Sequence, residues 1–318
     1  MSKKYLGLLV VIVIIVGATL ISFNRPKDEV TVKIGYLPTA AIAALPIWII
    51  EDQDLLNKAG IKAEIIPFQS SNQALEAVIR NEVNLVPNIS SIPVYVTQLL
   101  DPKGIKGFSV TYFTEDPGDA VITKINSPIK TLKDLEGKKI AVFPGSTATN
   151  ILKASLVKNS VDVSKVEILP LSPQNYLQAL EVGSVDALYS YEPNTSVAIS
   201  TGMARKVSGS LYTENVQDSP FAIGVISEIF INEHPALAKD VIKVFEQAND
   251  YALSNENTTK KLIAQKSNIS ENASALMSIL PTRFGRSIDT KKNDEWLNWL
   301  ISIGELKSKP DLSSFFFK

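Results

Sequence analysis

The stretch that decides the fold is Val142-Phe143-Pro144-Gly145-Ser146-Thr147-Ala148-Thr149-Asn150. The apolar residues at 140–143 predict a buried strand, which ends at Pro144-Gly145. The small hydroxyl residues that follow favour the start of a helix, because their oxygens accept hydrogen bonds from its first N–H groups. A helix that begins directly after a strand presents free N–H groups and the positive end of its dipole. The stretch therefore predicts a place that can hold an anionic or strongly polar group without Lys or Arg.

The residues on either side of this stretch alternate between predicted strands and helices. The first series has strands at 30–34, 61–68, 83–86 and 105–113. The second has strands at 120–124, 140–143, 166–169 and 185–189. A further strand at 221–226 is expected to return to the part of the fold that the first series builds. Helices lie between the strands, including one at 44–59 and one at 235–253. This order builds parallel sheets with helices on their faces.

The repetition of the series predicts two α/β lobes that face each other across a cleft. A break at Glu115-Asp116-Pro117-Gly118 separates the two series. We expect the chain to cross between the lobes near 116–120 and again near 226–232. The predicted limits are 1–28 for an N-terminal segment, 29–116 for the first part of lobe 1, 117–226 for lobe 2, and 227–318 for the second part of lobe 1 with the C-terminal helices.

The start of the chain predicts one hydrophobic helix before the lobes. An uncharged run at 5–23 follows Lys3-Lys4, and as a helix its 19 residues span about 28 Å, close to the thickness of a hydrocarbon core. The lysines favour an N-terminus inside and a body outside the membrane. A signal peptide cleaved after Val16-Gly17-Ala18 is the alternative. We favour an uncleaved anchor because the run continues past this point. In either case the body of the protein is expected to be extracytoplasmic, membrane-anchored with the first interpretation and secreted with the second.

The composition argues against several classes of function. The chain has 318 residues, a net charge of −1 and no long basic run, so nothing indicates a nucleic-acid partner. It has no Cys and a single His, His234. A thiolate metal site, a Cys nucleophile and a Ser-His triad are therefore without support. We expect no cofactor, no metal ion and no enzymatic activity.

Several segments carry a resemblance to a known family. They are Lys33-Ile34-Gly35-Tyr36-Leu37-Pro38 and the segments 45–48, 67–77, 127–142, 145–148 and 183–188, the last followed by Glu192-Pro193. In order and spacing they resemble the solute-binding proteins of ABC importers of the nitrate/sulfonate/taurine group, to which thiamine-pyrimidine-synthase-like proteins are related. The resemblance implies a type II periplasmic-binding-protein fold with two doubly wound sheets, a ligand cleft and a hinge. It also implies a monomer that captures a small solute and delivers it to an ABC permease and its ATPase.

The candidate binding residues lie where the predicted strands end, because ligands of open α/β sheets bind beyond the carboxyl ends of the strands. From the first lobe they are Leu37, Pro38, Thr39, Gln69, Ser70, Ser71, Asn88, Ser90 and Phe113. From the second lobe they are Gly145, Ser146, Thr147, Thr149, Tyr189 and Glu192. None of them is Lys or Arg. The bound group is therefore expected to be a small anion held by N–H and hydroxyl donors, or not an anion at all.

These candidates also have structural interpretations. The hydroxyl residues at both helix starts could serve only as caps, and Asn88 with Ser90 forms a glycosylation sequon. The aromatic candidates, and Tyr191 beside them, could belong to the core. A pocket carboxylate at Glu192 would favour a ligand amine or a pyrimidine N–H. We expect Glu192 instead to be an exposed first-turn residue stabilised by the helix dipole.

The first functional hypothesis is capture of a sulfonate, a taurine-like compound or nitrate. The alternative is a binding protein for a pyrimidine or thiamine-precursor heterocycle, with Tyr189, Tyr191 and Glu192 recognising the ring. A third hypothesis is an enzyme of the pyrimidine-synthase type on the same fold. For such enzymes the resemblance implies a pocket histidine and a Cys-rich segment. The absence of Cys and the position of His234 before a predicted crossover helix count against this third hypothesis.

Overall fold

A computed structural model of the chain describes residues 30–38, 41–101, 104–113, 118–144, 146–285 and 288–317. Its first sheet has six strands. The strands are β1 (Val32–Tyr36), β2 (Ala63–Pro67), β3 (Leu85–Ser90), β4 (Ile105–Phe113), β10 (Ser219–Ser227) and β11 (Thr282–Phe284). Their spatial order is β11-β4-β10-β3-β1-β2. Strand β1 is parallel to β2 and β3, whereas β10 is antiparallel to β3 and β4.

The second sheet has five strands with a similar plan. They are β5 (Asp119–Lys124), β6 (Lys139–Val142), β7 (Glu167–Pro170), β8 (Ala187–Tyr191) and β9 (Ala204–Lys206). Their order is β7-β6-β8-β5-β9, with β6 parallel to β7 and β8 and with β5 antiparallel to β8 and β9. Each sheet therefore has a core of parallel strands with an antiparallel strand beside it, β10 in the first sheet and β5 in the second. The sequence pattern predicted both of these strands.

Helices connect and cover the strands. They are α1 (Ala41–Asp52), α2 (Leu55–Lys58), α3 (Ser71–Ile79), α4 (Ser91–Leu100), α5 (Ser146–Lys158), α6 (Tyr176–Val182), α7 (Asn194–Ser200), α8 (Leu211–Asn215), α9 (Glu228–Glu233), α10 (Pro235–Ser254), α11 (Glu256–Ser267), α12 (Glu271–Ala275) and α13 (Thr290–Ser302). Helix α10, predicted at 235–253, buries Val241, Val244 and Ala248 on one stripe. The predicted helix at 44–59 is instead two helices, because Asp54 adopts a left-handed conformation (φ 54°) between α1 and α2.

The chain passes between the two sheets twice. It leaves the first sheet after β4 and enters the second at β5, and it returns between β9 and β10. The strand predicted at 221–226 does return to the first sheet, as part of β10. The return precedes Ser219 rather than lying near 226–232, because β10 is hydrogen-bonded to both β3 and β4 along its length.

One hydrophobic cluster continues from the first lobe into the second. It contains Val225 of β10, Val142 of β6, and Trp296 and Leu300 of α13. Because these apolar side chains are buried together, away from water, they hold the two lobes and α13 in contact. Helix α13, from the C-terminal region, thus packs at the junction of the lobes.

Some sequence predictions lie outside the described residues. The hydrophobic helix predicted at 5–23 is one of them, and so are Thr39 and Gly145 and the side chain of Ser146. Within the part of the chain that the structure describes, no helix is long and apolar enough to cross a membrane.

Candidate functional site

Aromatic rings from both lobes meet where the chain passes between the sheets. Phe113, the last residue of β4, packs against Tyr212 of α8 and Phe221 of β10, with ring centroids 4.8 Å and 4.4 Å away. Tyr191, at the carboxyl end of β8, lies edge-on to Tyr212 at 6.4 Å. The carboxyl end of β8 is therefore close to the end of β4. Phe113 is fully buried, which fits its interpretation as a core residue.

Four aromatic rings form a row across the junction of the lobes, here called the aromatic row. They are Tyr191, Tyr212, Trp296 and Trp299. Centroid distances are 5.5 Å from Tyr212 to Trp296 and 5.0 Å from Trp296 to Trp299. The two ends of the row are half-buried, while the middle is buried. Sequence reasoning did not place these rings together, because they come from β8, α8 and α13.

A buried carboxylate ties the second sheet to the returning crossing. Asp119, at the start of β5, accepts hydrogen bonds from the Tyr189 hydroxyl at 2.8 Å, from the Leu211 N–H at 3.0 Å and from the Ser210 hydroxyl. Burial raises the pKa of Asp119 to about 6, and the hydrogen bonds that it accepts limit the rise. Tyr189 is fully buried with its hydroxyl engaged, so its ring belongs to the core. Nothing in the sequence around Asp119 indicated this role.

In the first lobe the candidate serines accept hydrogen bonds beside the starts of α3 and α4. The Ser70 hydroxyl accepts a hydrogen bond from the Gln73 N–H at 3.3 Å, as the predicted cap requires. The Gln69 N–H donates to the Gln73 side chain at 3.3 Å. The Ser71 hydroxyl accepts from the Ser90 N–H at 3.2 Å. The structure thus brings the ends of β2 and β3 together through these residues.

Asn88 points into the first lobe. It is 4% exposed, and its side-chain amide donates to the Ile42 carbonyl at 3.1 Å. It lines a cavity of about 40 Å³ between α1, β4 and α10. Such burial leaves no surface for a glycan, so the sequon interpretation is wrong. Leu37 is buried and Pro38 half-buried directly after β1.

In the second lobe a carboxylate occupies the first turn of α5. The Thr147 hydroxyl donates to Glu305 Oε2 at 3.3 Å, and the Asn150 side-chain amide donates to Glu305 Oε1. Thr149 is half-buried in the same turn. A helix start favours negative charge, so the partner of these donors has the expected sign. Sequence reasoning missed Glu305 because it lies more than 150 positions further along the chain.

Glu192 is buried, so the prediction that it is exposed is wrong. It is 8% exposed, and it accepts hydrogen bonds from the Ser196 N–H at 3.1 Å and the Ser196 hydroxyl at 2.9 Å. Burial raises the pKa of Glu192 to about 7, although the hydrogen bonds from Ser196 favour the ionised form. The predicted stabilisation at a helix start is present, because the first turns of α7 supply both donors.

Two α/β lobes that are joined by two crossings and meet at the ends of their strands define the periplasmic-binding-protein fold. The periplasmic aliphatic sulphonate binding protein SsuA from Escherichia coli has this fold with a TM-score of 0.74 and 18% identity, over 92% of this chain and 93% of that one. The alkanesulfonate-binding protein SsuA from Xanthomonas axonopodis pv. citri gives a TM-score of 0.72 and 19% identity, over 92% and 99% of the two chains.

Sequence comparison gives the family. The family model described as "NMT1/THI5 like" matches residues 44–258, which is more than half of the chain. The chain therefore belongs to the NMT1/THI5-like family. A Bacillus subtilis protein named as an aliphatic sulfonates-binding protein is 26% identical over 275 residues, which are 84% of this chain and 74% of that protein.

Proposed function

We propose that this protein is the extracytoplasmic solute-binding component of an ABC importer and that it captures a small sulfonate, taurine-like compound or nitrate between its lobes. The observation that carries the proposal is the first turn of α5, where Thr147 and Asn150 already hold a carboxylate. Donors that hold one acid group at a helix start suit another acid group of similar size. The names of the sulfonate-binding relatives support the same class of solute.

The chemistry of a sulfonate fits such a place. A sulfonate stays ionised at neutral pH and has three acceptor oxygens, so it needs donors rather than a proton. Backbone N–H groups and the Thr147 and Asn150 side chains supply donors without a neutralising cation. The first lobe contributes to the proposed site through the Ser71 hydroxyl, at the start of α3, and through Ser90, at the end of β3, whose N–H donates to that hydroxyl.

The proposed mechanism is closure of the lobes around the solute. Contacts from both lobes exist only in the closed form, so the solute shifts the hinge equilibrium towards that form. The two crossings are the hinge, and Asp119 holds them in register through Tyr189, Ser210 and Leu211. The closed, loaded protein is then the form that a permease and its ATPase receive. No step in this sequence makes or breaks a covalent bond.

A heterocycle is the second candidate solute, and the aromatic row favours it. Tyr191 and Trp299 are its half-buried ends, and a flat pyrimidine ring would stack on either. In this version Glu192, whose pKa is raised to about 7, would accept a hydrogen bond from a ring N–H. The sulfonate proposal ranks first because it uses donors whose hydrogen bonds to an acid group are seen in the structure.

A thermal-shift screen of the full chain tests the proposal. Taurine, ethanesulfonate, nitrate and hydroxymethylpyrimidine are each added at increasing concentration. A sulfonate is expected to raise the unfolding midpoint, since a ligand at 100 times its Kd adds about 2.7 kcal/mol of stability. Stabilisation by the pyrimidine alone would replace the first candidate with the second. Turnover of any of these compounds would contradict both.

A matched pair of variants locates the site in the same screen. Thr147→Val removes one of the donors at α5 and is expected to abolish most of the sulfonate-induced shift. Thr97→Val changes an equally half-buried threonine within α4 and is expected to keep the shift. Equal shifts in both variants would remove the first turn of α5 from the site.

The proposed location outside the membrane includes an anchor at residues 5–23. An uncharged run of this length spans a hydrocarbon core. After expression in a bacterium, the full chain is expected in the membrane pellet after a high-salt wash. Recovery in the soluble fraction, with residues 1–18 missing from the N-terminus, would support cleavage instead.

A further inference from the structure

A proline inside helix α1 leaves one carbonyl without its usual helical donor. Pro46 lies within α1 and has no N–H, so it cannot bond to the Ile42 carbonyl four residues earlier. The side-chain amide of Asn88 donates to that carbonyl at 3.1 Å instead. Asn88, on β3, therefore supplies the missing hydrogen bond and ties the first turn of α1 to the first sheet.

The other end of the Asn88 amide has no partner in the chain. The Ile42 carbonyl can only accept, so the bonded end of the amide is its NH₂ group and Oδ1 is left as an acceptor. Asn88 is 4% exposed, and none of the described residues donates to Oδ1. Buried acceptors without a donor are rare, because each gives up its hydrogen bonds to water on folding. Oδ1 therefore indicates a donor that does not belong to the chain.

The cavity that Asn88 lines also presents hydroxyl groups. Thr111 and Thr282 line it, and their hydroxyl oxygens lie 2.8 Å apart. Only one of the two hydroxyl hydrogens can lie between these oxygens, so the other is available to a molecule in the cavity. The Ser109 hydroxyl, also in the wall, is 3.5 Å from the Pro87 carbonyl oxygen, which is beyond the usual length of such a bond. The cavity thus offers an acceptor at Asn88 and hydroxyl groups on β4 and β11.

Size and charge identify the class of molecule that fits this cavity. Its volume is about 40 Å³, and one water molecule needs about 10–15 Å³ of such a space. A cavity that binds benzene measures about 150 Å³, so an organic molecule of that size does not fit. Among the described residues that line the cavity, none is Asp, Glu, Lys or Arg, so no side chain balances the charge of an ion. A water molecule can donate to Asn88 and accept from a threonine hydroxyl at the same time.

We propose that this cavity is a binding site for about two or three water molecules, one of which donates to Asn88 Oδ1, and that the hydrated Asn88 positions the first turn of α1. This turn follows Leu37 and Pro38, where the candidate binding residues of the first lobe begin. The inference goes beyond the proposed function and does not depend on where the solute binds.

A crystal structure of the full chain, at a resolution that shows ordered water, tests the binding site directly. We expect electron density for water within hydrogen-bond distance of Asn88 Oδ1 and of the Thr111 or Thr282 hydroxyl. A cavity without density, in a map that shows other buried water molecules, would overturn the inference. Density too large for water would overturn it as well.

A double-mutant cycle tests the positioning role in solution. Asn88→Leu removes both ends of the amide, so the folding equilibrium constant from urea denaturation is expected to fall about tenfold or more. Pro46→Ala restores an N–H for the Ile42 carbonyl, so in that background the loss caused by Asn88→Leu is expected to be about fivefold smaller. Asn257→Leu, on the exposed surface of α11, is the control and is expected to change the constant less than about twofold in both backgrounds.

Equal losses for Asn88→Leu in the two backgrounds would mean that Asn88 does not replace the bond that Pro46 cannot make, and the positioning role would be wrong. If Asn88→Leu does not fold in either background, the crystal map of the unchanged chain decides the inference.

Discussion

Helices α3 and α5 begin from similar sequences at the edges of the two lobes, yet their first turns are bonded differently. In α3 the Ser70 hydroxyl binds Gln73 three positions away, and Ser71 binds Ser90 within the same lobe. In α5 the donors of Thr147 and Asn150 bind Glu305, which comes from the far end of the chain. A run of hydroxyl residues therefore predicts where a helix begins, but not which group its donors will hold.

The difference matters for function. The start of α3 is completed by neutral groups of its own lobe, and its polar atoms stabilise the fold. The start of α5 is completed by an acid group from another element, which is the kind of partner that a solute can replace or complement. We therefore propose that α5 recognises the solute's acid group and that α3 makes a supporting contribution.

The largest expected effect on stability comes from substituting Asp119, whose hydrogen bonds join distant segments of the second lobe. Asp119→Ala leaves the Tyr189 hydroxyl, the Ser210 hydroxyl and the Leu211 N–H without their acceptor in a buried place. We expect the free energy of unfolding to fall by about 3 kcal/mol, as for other broken buried networks. Urea denaturation at pH 7 measures it.

Two variants make this result interpretable. Asp240→Ala on the exposed surface of α10 serves as the control and should change stability by less than about 0.5 kcal/mol. Ser71→Ala in the first lobe should cost about 1 kcal/mol, because one hydrogen bond is lost. A loss at Asp119 no larger than that at Ser71 would contradict the larger role that we give to long-range hydrogen bonds in the second lobe.

A smaller effect is expected in the pH dependence of stability. The folded state keeps a proton on Glu192 up to pH of about 7, whereas the unfolded chain releases it near 4.5. Between these values the folded state binds more protons, so the contribution of Glu192 makes the free energy of unfolding fall as pH rises. The slope is at most about 1.4 kcal/mol per pH unit.

Glu192→Gln removes the titrating group but keeps its size. Urea denaturation between pH 5 and 7 is expected to show a shallower decline for the variant than for the unchanged chain. Parallel declines would mean that Glu192 titrates as it does in the unfolded state. The Glu192 carboxylate would then add no more pH dependence to the stability of the fold than the neutral caps of the first lobe do.

The smallest expected effect is at the cap of α3. Ser70→Ala removes the acceptor of the Gln73 N–H and should lower the free energy of unfolding by about 1 kcal/mol. Ser254→Ala, at the exposed end of α10, is the control and should leave it unchanged. A cost near zero would mean that the first turn of α3 is not held by this cap.

The parts of the fold that sequence predicted are those that depend on neighbouring residues. Strands β1–β8 and β10 follow from apolar runs, the Ser70 cap from a hydroxyl residue at a predicted helix start, and helix α10 from helical spacing, whereas the short strands β9 and β11 were not predicted. The burial of Glu192 was not predicted, because a carboxylate before Pro in a helix start is ordinarily exposed. Its burial depends on how α7 packs on the second sheet.

The missed parts of the candidate site depend on contacts between distant segments. Asp119 meets Ser210 and Leu211 only because β5 lies beside the returning crossing. Glu305 meets Thr147 only because α13 packs at the junction of the lobes. The Gly after α13 does signal that the helix ends there, but nothing local indicates where the next side chain points.

The most direct test of solute capture at α5 is a calorimetric titration of taurine into the full chain, Thr147→Val and Ser70→Ala. The proposal predicts that Thr147→Val raises the Kd about tenfold, since one hydrogen bond to a charged group is lost. It predicts that Ser70→Ala changes the Kd less than about twofold, because its hydroxyl is engaged in capping α3. Equal Kd values for Thr147→Val and the unchanged chain would contradict it.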